Sequence, residues 1–277
     1  MLRAAVLHVY ARFLAGELPA GVAAMQALAG SHSAEEARLA LPAEAGPVLA
    51  PLLTEQAHAL VNGMLALADH EAPTSPEGWA SVFDRAAALS PEASVALYSL
   101  GDPDRLDAAT QEVADWLQSE ALVGAGLRVL EIGCGIGRFV SALAPSVELF
   151  VGLDVSAAMC AEAAGRTAGL AHSGVVRTGG RDLAAFADEA FDVVLAVDSF
   201  PYLVNAGLEE AMVAEAARVL RPGGRLVVLN WSYRGDPELD RFEADTFAGQ
   251  NGLARVDRPT PSLAHWDGAV HHMVKPC

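Results

Sequence analysis

Between Val129 and Phe139 the chain reads Val-Leu-Glu-Ile-Gly-Cys-Gly-Ile-Gly-Arg-Phe, an apolar strand that runs into alternating glycines and then into a helix. Glycines at 133, 135 and 137 let the main chain turn sharply and leave bare backbone for a ligand to approach. A second apolar run, Leu149 to Leu153, ends in Asp154. An acid at the tip of the second strand of a βαβ unit is placed to hold a ribose diol. These two features restrict the chain to an open α/β sheet with a nucleoside-containing ligand. The dinucleotide fingerprint G-x-G-x-x-G is excluded, because it needs glycine where this chain has Arg138.

The observed pattern, Glu131-x-Gly133-x-Gly135-x-Gly137, resembles motif I of the class I S-adenosylmethionine (SAM)-dependent methyltransferases. Four further segments resemble the same family in order. Asp154-Val155-Ser156-Ala157-Ala158-Met159 is similar to its second-strand segment. Arg181-Asp182-Leu183 follows the third strand as the family's acid-Leu pair does. Phe191-Asp192-Val193-Val194 matches the fourth strand, and Leu220-Arg221-Pro222-Gly223-Gly224 matches the turn into the fifth. The resemblance covers residues from about 95 onward.

That resemblance implies a Rossmann-like, seven-stranded, mostly parallel sheet with helices on both faces. It implies SAM as cofactor and S-adenosylhomocysteine (SAH) as product. The loop of Glu131, Gly133, Cys134 and Gly135 would pass the aminocarboxypropyl tail, and Asp154 would take the ribose hydroxyls. Val155 and Met159 would flank the adenine, with Asp182 and Leu183 beside its amino group and Asp198 at the tip of the fourth strand.

Composition narrows the partners. A net charge of −17 argues against nucleic acid and against anionic membranes, whose phosphates attract basic surfaces. Cys134, Cys160 and Cys277 are too few and too scattered for a disulfide framework or a CxxC metal site. The opening stretch to Leu18 is interrupted by Arg3, Arg12 and Glu17, while Leu2, Val6, Val9 and Phe13 recur at helical spacing. It reads as an amphipathic helix rather than a leader, and no apolar run approaches the ~20 residues of a membrane span. A cytoplasmic protein is expected, with a homodimer left open.

Residues 1–95 show helical patterns separated by Pro19, Pro42, Pro47, Pro51, Pro73, Pro76 and Pro91. They are expected to form an all-α cap that serves substrate choice or oligomerisation, ahead of a SAM-binding domain over 96–277. Trp79, Phe83, Ala86 and Leu89 make one helical stripe, and Leu60, Met64 and Leu67 another; such stripes usually mean helix packing. A helix capped by Asp107 should lead into strands at 127–132, 148–153, 174–178, 192–198 and 224–231. A helix from Pro237 to about Gln250 and two closing strands near 253–257 and 268–274 complete the pattern.

Open α/β sheets bind ligands beyond the carboxyl ends of their strands, where strand order reverses. The methyl acceptor, a small molecule, is expected near Asp198 to Tyr202 and near Asn230, Trp231 and Tyr233, segments rich in aromatic and hydrogen-bonding groups. Methyl transfer from a sulfonium is an in-line displacement that alignment alone can promote. A hydroxyl or protonated amine would also need a base, for which His272 and His265 are candidates and Tyr202 an orienting group. No metal motif emerges, since the His271-His272 pair lacks a helical partner or a suitable carboxylate. Arg138 and Arg234 are either solvated or placed for an acidic substrate. The expected activity is O- or N-methylation of a small molecule, of the kind found in secondary metabolism. The same fold also hosts SAM-binding enzymes of cyclisation, decarboxylation or aminopropyl transfer, and non-catalytic SAM-binding modules.

Overall fold

The computed structural model describes residues 2–68 and 72–277, with side chains from residue 4 onward. The described chain divides into two compact units, and each is built by itself. The first comprises 2–68, 85–113 and 262–267; the second comprises 72–84, 114–261 and 268–277.

The first unit is helical because prolines and short polar side chains punctuate an alanine-rich sequence. Its elements are α1 (Leu2–Leu14), α2 (Ala20–Ala29), α3 (Ala34–Leu39), α4 (Gly46–Leu49) and α5 (Glu55–Ala66), followed by the end of α6 (Pro76–Leu89), α7 (Pro91–Val95) and the start of α8 (Pro103–Ser119). Pro76, Pro91 and Pro103 open their helices, where a missing N–H costs nothing. Ser33 and Thr54 cap α3 and α5 by accepting from the N–H groups of Glu36 and Ala57 at 3.1 Å each. Tyr10, Leu28, Leu49, Leu53 and Val61 form the fully buried centre, and the Tyr10 hydroxyl donates to the carbonyl of Ala37 at 2.8 Å. The Leu2 side chain of the expected α1 stripe lies outside the described residues; Val6 of that stripe is buried.

One expected boundary is corrected here. Asp107 lies inside α8, which begins a turn earlier at Pro103. Asp102 accepts from the N–H of Arg105 at 3.1 Å, and it is this Asp-Pro pair that starts the helix.

The second unit is a seven-stranded sheet. Its strands are β1 (Arg128–Ile132), β2 (Leu149–Asp154), β3 (Ser173–Arg177), β4 (Phe191–Val197), β5 (Leu220–Leu229), β6 (Ala254–Arg255) and β7 (Val270–Val274), in the order β3-β2-β1-β4-β5-β7-β6. The first five run parallel, and β7 returns antiparallel to β5 with β6 antiparallel to it. Every residue of β4 is buried, as a central parallel strand covered on both faces must be. The helices are α9 (Arg138–Leu143), α10 (Ala157–Arg166), α11 (Phe200–Asn205), α12 (Glu209–Val219) and α13 (Pro237–Gln250). The sheet, its parallel character and its closing antiparallel pair agree with expectation. The fifth strand ends at Leu229 rather than 231, because Asn230 takes φ +67° and turns the chain out of the ladder. The last strand but one keeps only two residues of the expected five.

Candidate functional site

Strand order reverses between β1 and β4, so the crevice beyond their carboxyl ends is where a ligand would sit. The glycine turn enters it from β1. Gly133, Gly135 and Gly137 have φ of +71°, +53° and +75°, a left-handed conformation that side chains disfavour. A Cβ on Gly133 would lie 2.4 Å from Cβ of Ser199, and one on Gly137 would lie 2.9 Å from Cβ of Ala163. The turn is thus packed between the tip of β4 and α10. The Ser199 hydroxyl fastens it by donating to the carbonyl of Ile132 at 2.5 Å.

Asp154 ties the neighbouring tip to the same turn. Its carboxylate accepts from the N–H of Gly135 at 2.9 Å and from the N–H of Ser156 at 2.9 Å. Burial pushes its pKa upward, against the pull of those hydrogen bonds. Ser156 caps α10 by accepting from the N–H of Met159 at 3.1 Å, which fixes the buried Met159 side chain next to the β2 tip. Cys134 donates its N–H to the carbonyl of Leu153 at 2.8 Å, and burial raises its thiol well above the usual range. That thiol is a packing group.

Glu131 is buried on β1 and its Oε2 has no hydrogen-bond partner among the described residues. Burial pushes its pKa up to about 8, although Arg138 opposes the shift. Arg138 itself is buried, lies over the Phe139 ring at 4.5 Å and pairs with Asp198 Oδ2 at 3.4 Å. It is therefore a structural cation of the crevice rather than a solvated one. Arg234 pairs with Asp240 and Glu243.

Asp198 sits at the tip of β4 with φ +55°. Its Oδ1 accepts from Nδ2 of Asn230 at 2.6 Å, while Oδ1 of Asn230 accepts from the N–H of Ala269 at 3.1 Å. The Asn230 amide is thus fully engaged in joining β4, β5 and the start of β7. The Tyr233 hydroxyl donates to the carbonyl of Asp198 at 3.4 Å. Tyr202, on α11, meets Trp79 at 4.6 Å, Phe83 at 4.8 Å and Tyr233 at 6.2 Å between ring centroids, all edge to face. Burial raises the Tyr202 phenol far above its usual range, and the Asp198 charge adds to this, so the hydroxyl stays protonated. Trp231 is buried against Phe200 at 4.4 Å and donates to Glu243 at 3.2 Å, a core position beneath the crevice.

Beyond β3, Asp182 is exposed and accepts from the N–H of Ala184 at 3.1 Å. Leu183 is buried, and its N–H donates to Glu215 at 2.8 Å. Arg218 holds that loop by donating to Glu215 and to the carbonyls of Leu183 and Phe186.

Within the second unit, His272 is not gathered with these residues. His272 pairs with Val227 in the middle of β5, with β4 and β5 between it and the β1 tip. It is buried, neither ring nitrogen has a hydrogen-bond partner among the described residues, and burial beside Arg258 and Arg225 lowers its pKa to about 4. His265 belongs to the first unit, where its Nδ1 meets Glu112 at 3.0 Å.

Three contacts escaped the sequence. Asp84 accepts from the Ser156 hydroxyl at 2.5 Å and from the N–H of Ala158 at 3.0 Å. The bond from Ser199, itself within the expected acceptor segment, to Ile132 and the Arg138–Asp198 pair also emerge only in the fold. Asp84 is one of two acids in α6, 72 residues from Ser156 in sequence, and no local pattern marks it.

Comparison with known proteins agrees with this geometry. A family model described as "Methyltransferase domain" matches residues 130–228. The chain is 32% identical over 143 residues to methyltransferase GfsG of Streptomyces halstedii, covering 48% of this chain and 49% of that protein. It is 30% identical over 178 residues to the 2-methyl-6-phytyl-1,4-hydroquinone methyltransferase of Synechocystis, covering 56% and 54% respectively. The alignments thus span about half the length of these curated relatives. Among solved structures, a chain from the complex of the Haloferax volcanii Trm112 methyltransferase activator with a methyltransferase shares the fold, with a TM-score of 0.51 at 19% identity, over 70% of this chain and 98% of that one. Residues 130–228 are therefore similar to a methyltransferase domain.

Proposed function

We propose that this protein transfers a methyl group from SAM to a hydroxylated aromatic small molecule. The observation that carries the reading is the joined pair of strand tips, with Asp154 bonded to Gly135 beside a glycine turn that tolerates no side chain at Gly133. The residues fit SAM: Glu131 keeps a buried, unpartnered oxygen at the turn, matching the need of an ammonium-bearing tail for an acceptor. In this reading Glu131, Gly133, Cys134 and Gly135 line the tail, Asp154 holds the ribose, and Val155, Met159, Asp182 and Leu183 border the adenine. When bound, SAM supplies an electrophilic methyl group on a sulfonium.

The acceptor side is assigned to Asp198, Tyr202, Asn230 and Tyr233, with Trp231 supporting them from the core. Asn230 and Arg138 hold the Asp198 carboxylate, and Tyr202 keeps its proton, so these residues orient rather than deprotonate. Alignment then supplies the rate, and the acceptor brings its own nucleophilicity. An electron-rich ring suits the aromatic cluster of Trp79, Phe83, Tyr202 and Tyr233, in which Tyr202 meets the other three edge to face. The buried Trp79 Nε1 has no partner among the described residues and offers a donor to a ring oxygen. The hydroquinone named for the Synechocystis relative is of this chemical class. Trp79 and Phe83 come from the first 95 residues, which we assign to acceptor choice, with SAM held mainly by 96–277.

Calorimetric titration with SAH, then turnover of labelled SAM with a panel of hydroquinones, phenols and aliphatic amines, tests both halves. Saturable SAH binding with label transferred to a ring-bearing acceptor is expected. No SAH binding rejects the cofactor reading; transfer to aliphatic amines alone rejects the acceptor class.

A further inference from the structure

The stretch 76–84 of α6 touches the unit's strand tips at three places. At its start, Glu77 forms a two-oxygen ion pair with Arg181, at 3.1 and 2.9 Å, in the loop after β3. Pro76 lies close enough to Gly180 that a Cβ there would come within 3.1 Å of it, and within 2.5 Å of Val155. In its middle, Trp79 and Phe83 meet Tyr202 after β4. At its end, Asp84 Oδ1 accepts from both the Ser156 hydroxyl and the Ala158 N–H after β2.

These contacts differ in what they can do. The Glu77–Arg181 pair is exposed, and such pairs contribute little. The Asp84 contact is part-buried, charge-assisted and doubled on one oxygen, and the bonds to Ala158 and Ser156 hold its pKa below the usual range. It also acts on a specific neighbour. Ser156, which Asp84 holds through the hydroxyl, donates its N–H to the Asp154 carboxylate, whose other oxygen takes Gly135. Removing Asp84 leaves the Ser156 hydroxyl with the Met159 N–H alone and loosens the residue whose own N–H orients Asp154.

We propose that Asp84 is a positioning residue for the nucleoside site: it touches no ligand, and it sets the Asp154 carboxylate through Ser156 while latching the 76–84 segment across the strand tips. This rests on the SAM reading above. One consequence is that cofactor affinity depends on a residue from the helical N-terminal region. Another is that the latch depends first on an accepting oxygen, because a single Oδ1 serves both donors, with the charge adding to it.

The test compares wild type, Asp84→Ala and Asp84→Asn at a temperature well below all three melting points. SAH affinity is read by calorimetry, and native-state hydrogen exchange is read at the Ala158 and Met159 amides without ligand. Asp84→Ala is expected to weaken SAH about tenfold and to speed exchange at both amides. Asp84→Asn, whose amide oxygen can still accept from both donors, is expected to stay within threefold on both readouts. Asp84→Ala binding SAH within twofold of wild type overturns the proposal, as does Asp84→Asn behaving like Asp84→Ala. If Asp84→Ala fails to fold, Ser156→Ala replaces it, and unchanged SAH affinity there also overturns it. Wild type that binds no SAH while Asp84→Ala still loses amide protection is a different failure, that of the SAM reading itself.

Discussion

The N–H of Gly135 donates to Oδ2 of Asp154 at 2.9 Å, joining the glycine turn after β1 to the tip of β2. The bond makes the strand-tip acid and the glycine turn one rigid feature, so disturbing either should disturb both.

Asp154→Ala removes a half-buried acceptor from two backbone donors and, on the proposed reading, from the ribose. A hydrogen bond to a charged group contributes about 1.5–3 kcal/mol, roughly ten- to a hundredfold in affinity. SAH titration of the variant should show a loss of that size. Unchanged affinity would place the nucleoside elsewhere.

Gly133→Ala forces a Cβ at φ +71° to within 2.4 Å of the Ser199 Cβ. The left-handed conformation alone costs roughly 1–2 kcal/mol, and the clash adds to it. A melting temperature several degrees lower, with SAH binding weakened in step, is the expected result. Gly124→Ala is the control, since a Cβ there meets nothing within 4 Å and the position has no positive φ.

Glu131 gives the fold a pH signature. Its pKa is about 8 in the fold, against an ordinary value of 4.5. Between those values the unfolded chain has lost the proton and the folded one keeps it. Stability contributed by this group is therefore full below the ordinary value and falls as pH rises toward 8, by up to about 1.4 kcal/mol per pH unit. Glu131→Gln abolishes that slope. Ligand-free melting of both proteins at pH 5, 6, 7 and 8 should show the variant gaining on wild type with each step. Parallel curves would mean that the buried carboxyl is solvated or paired.

His272 should be dispensable for turnover. Its imidazole is already neutral at pH 7, but with a pKa near 4 it is a weak base, and it sits in mid-strand. His272→Gln is expected to keep kcat within tenfold. A loss of a hundredfold or more, with SAH affinity intact, would restore it as the base.

The sequence determined the sheet, because a parallel strand buried on both faces reads as a nearly continuous apolar run, as Val193 to Val197 does. It determined the glycine turn and Asp154 as well, since a left-handed loop and a strand-tip acid are local requirements carried by adjacent residues. The closing strand was legible for the same reason, yet the role of His272 was not: alternation says that it faces away from His271, but not that β4 and β5 stand between it and the β1 tip. Only the tertiary structure brought Asp84 to Ser156 and Arg138 to Asp198, contacts 72 and 60 residues apart in the chain. Lone polar side chains such as these leave no periodic trace, because they are chosen by whichever donor the packed backbone presents to them. Packing likewise withdrew Trp231 into the core and engaged both ends of the Asn230 amide, a decision that depends on β5, β7 and α13 meeting in space.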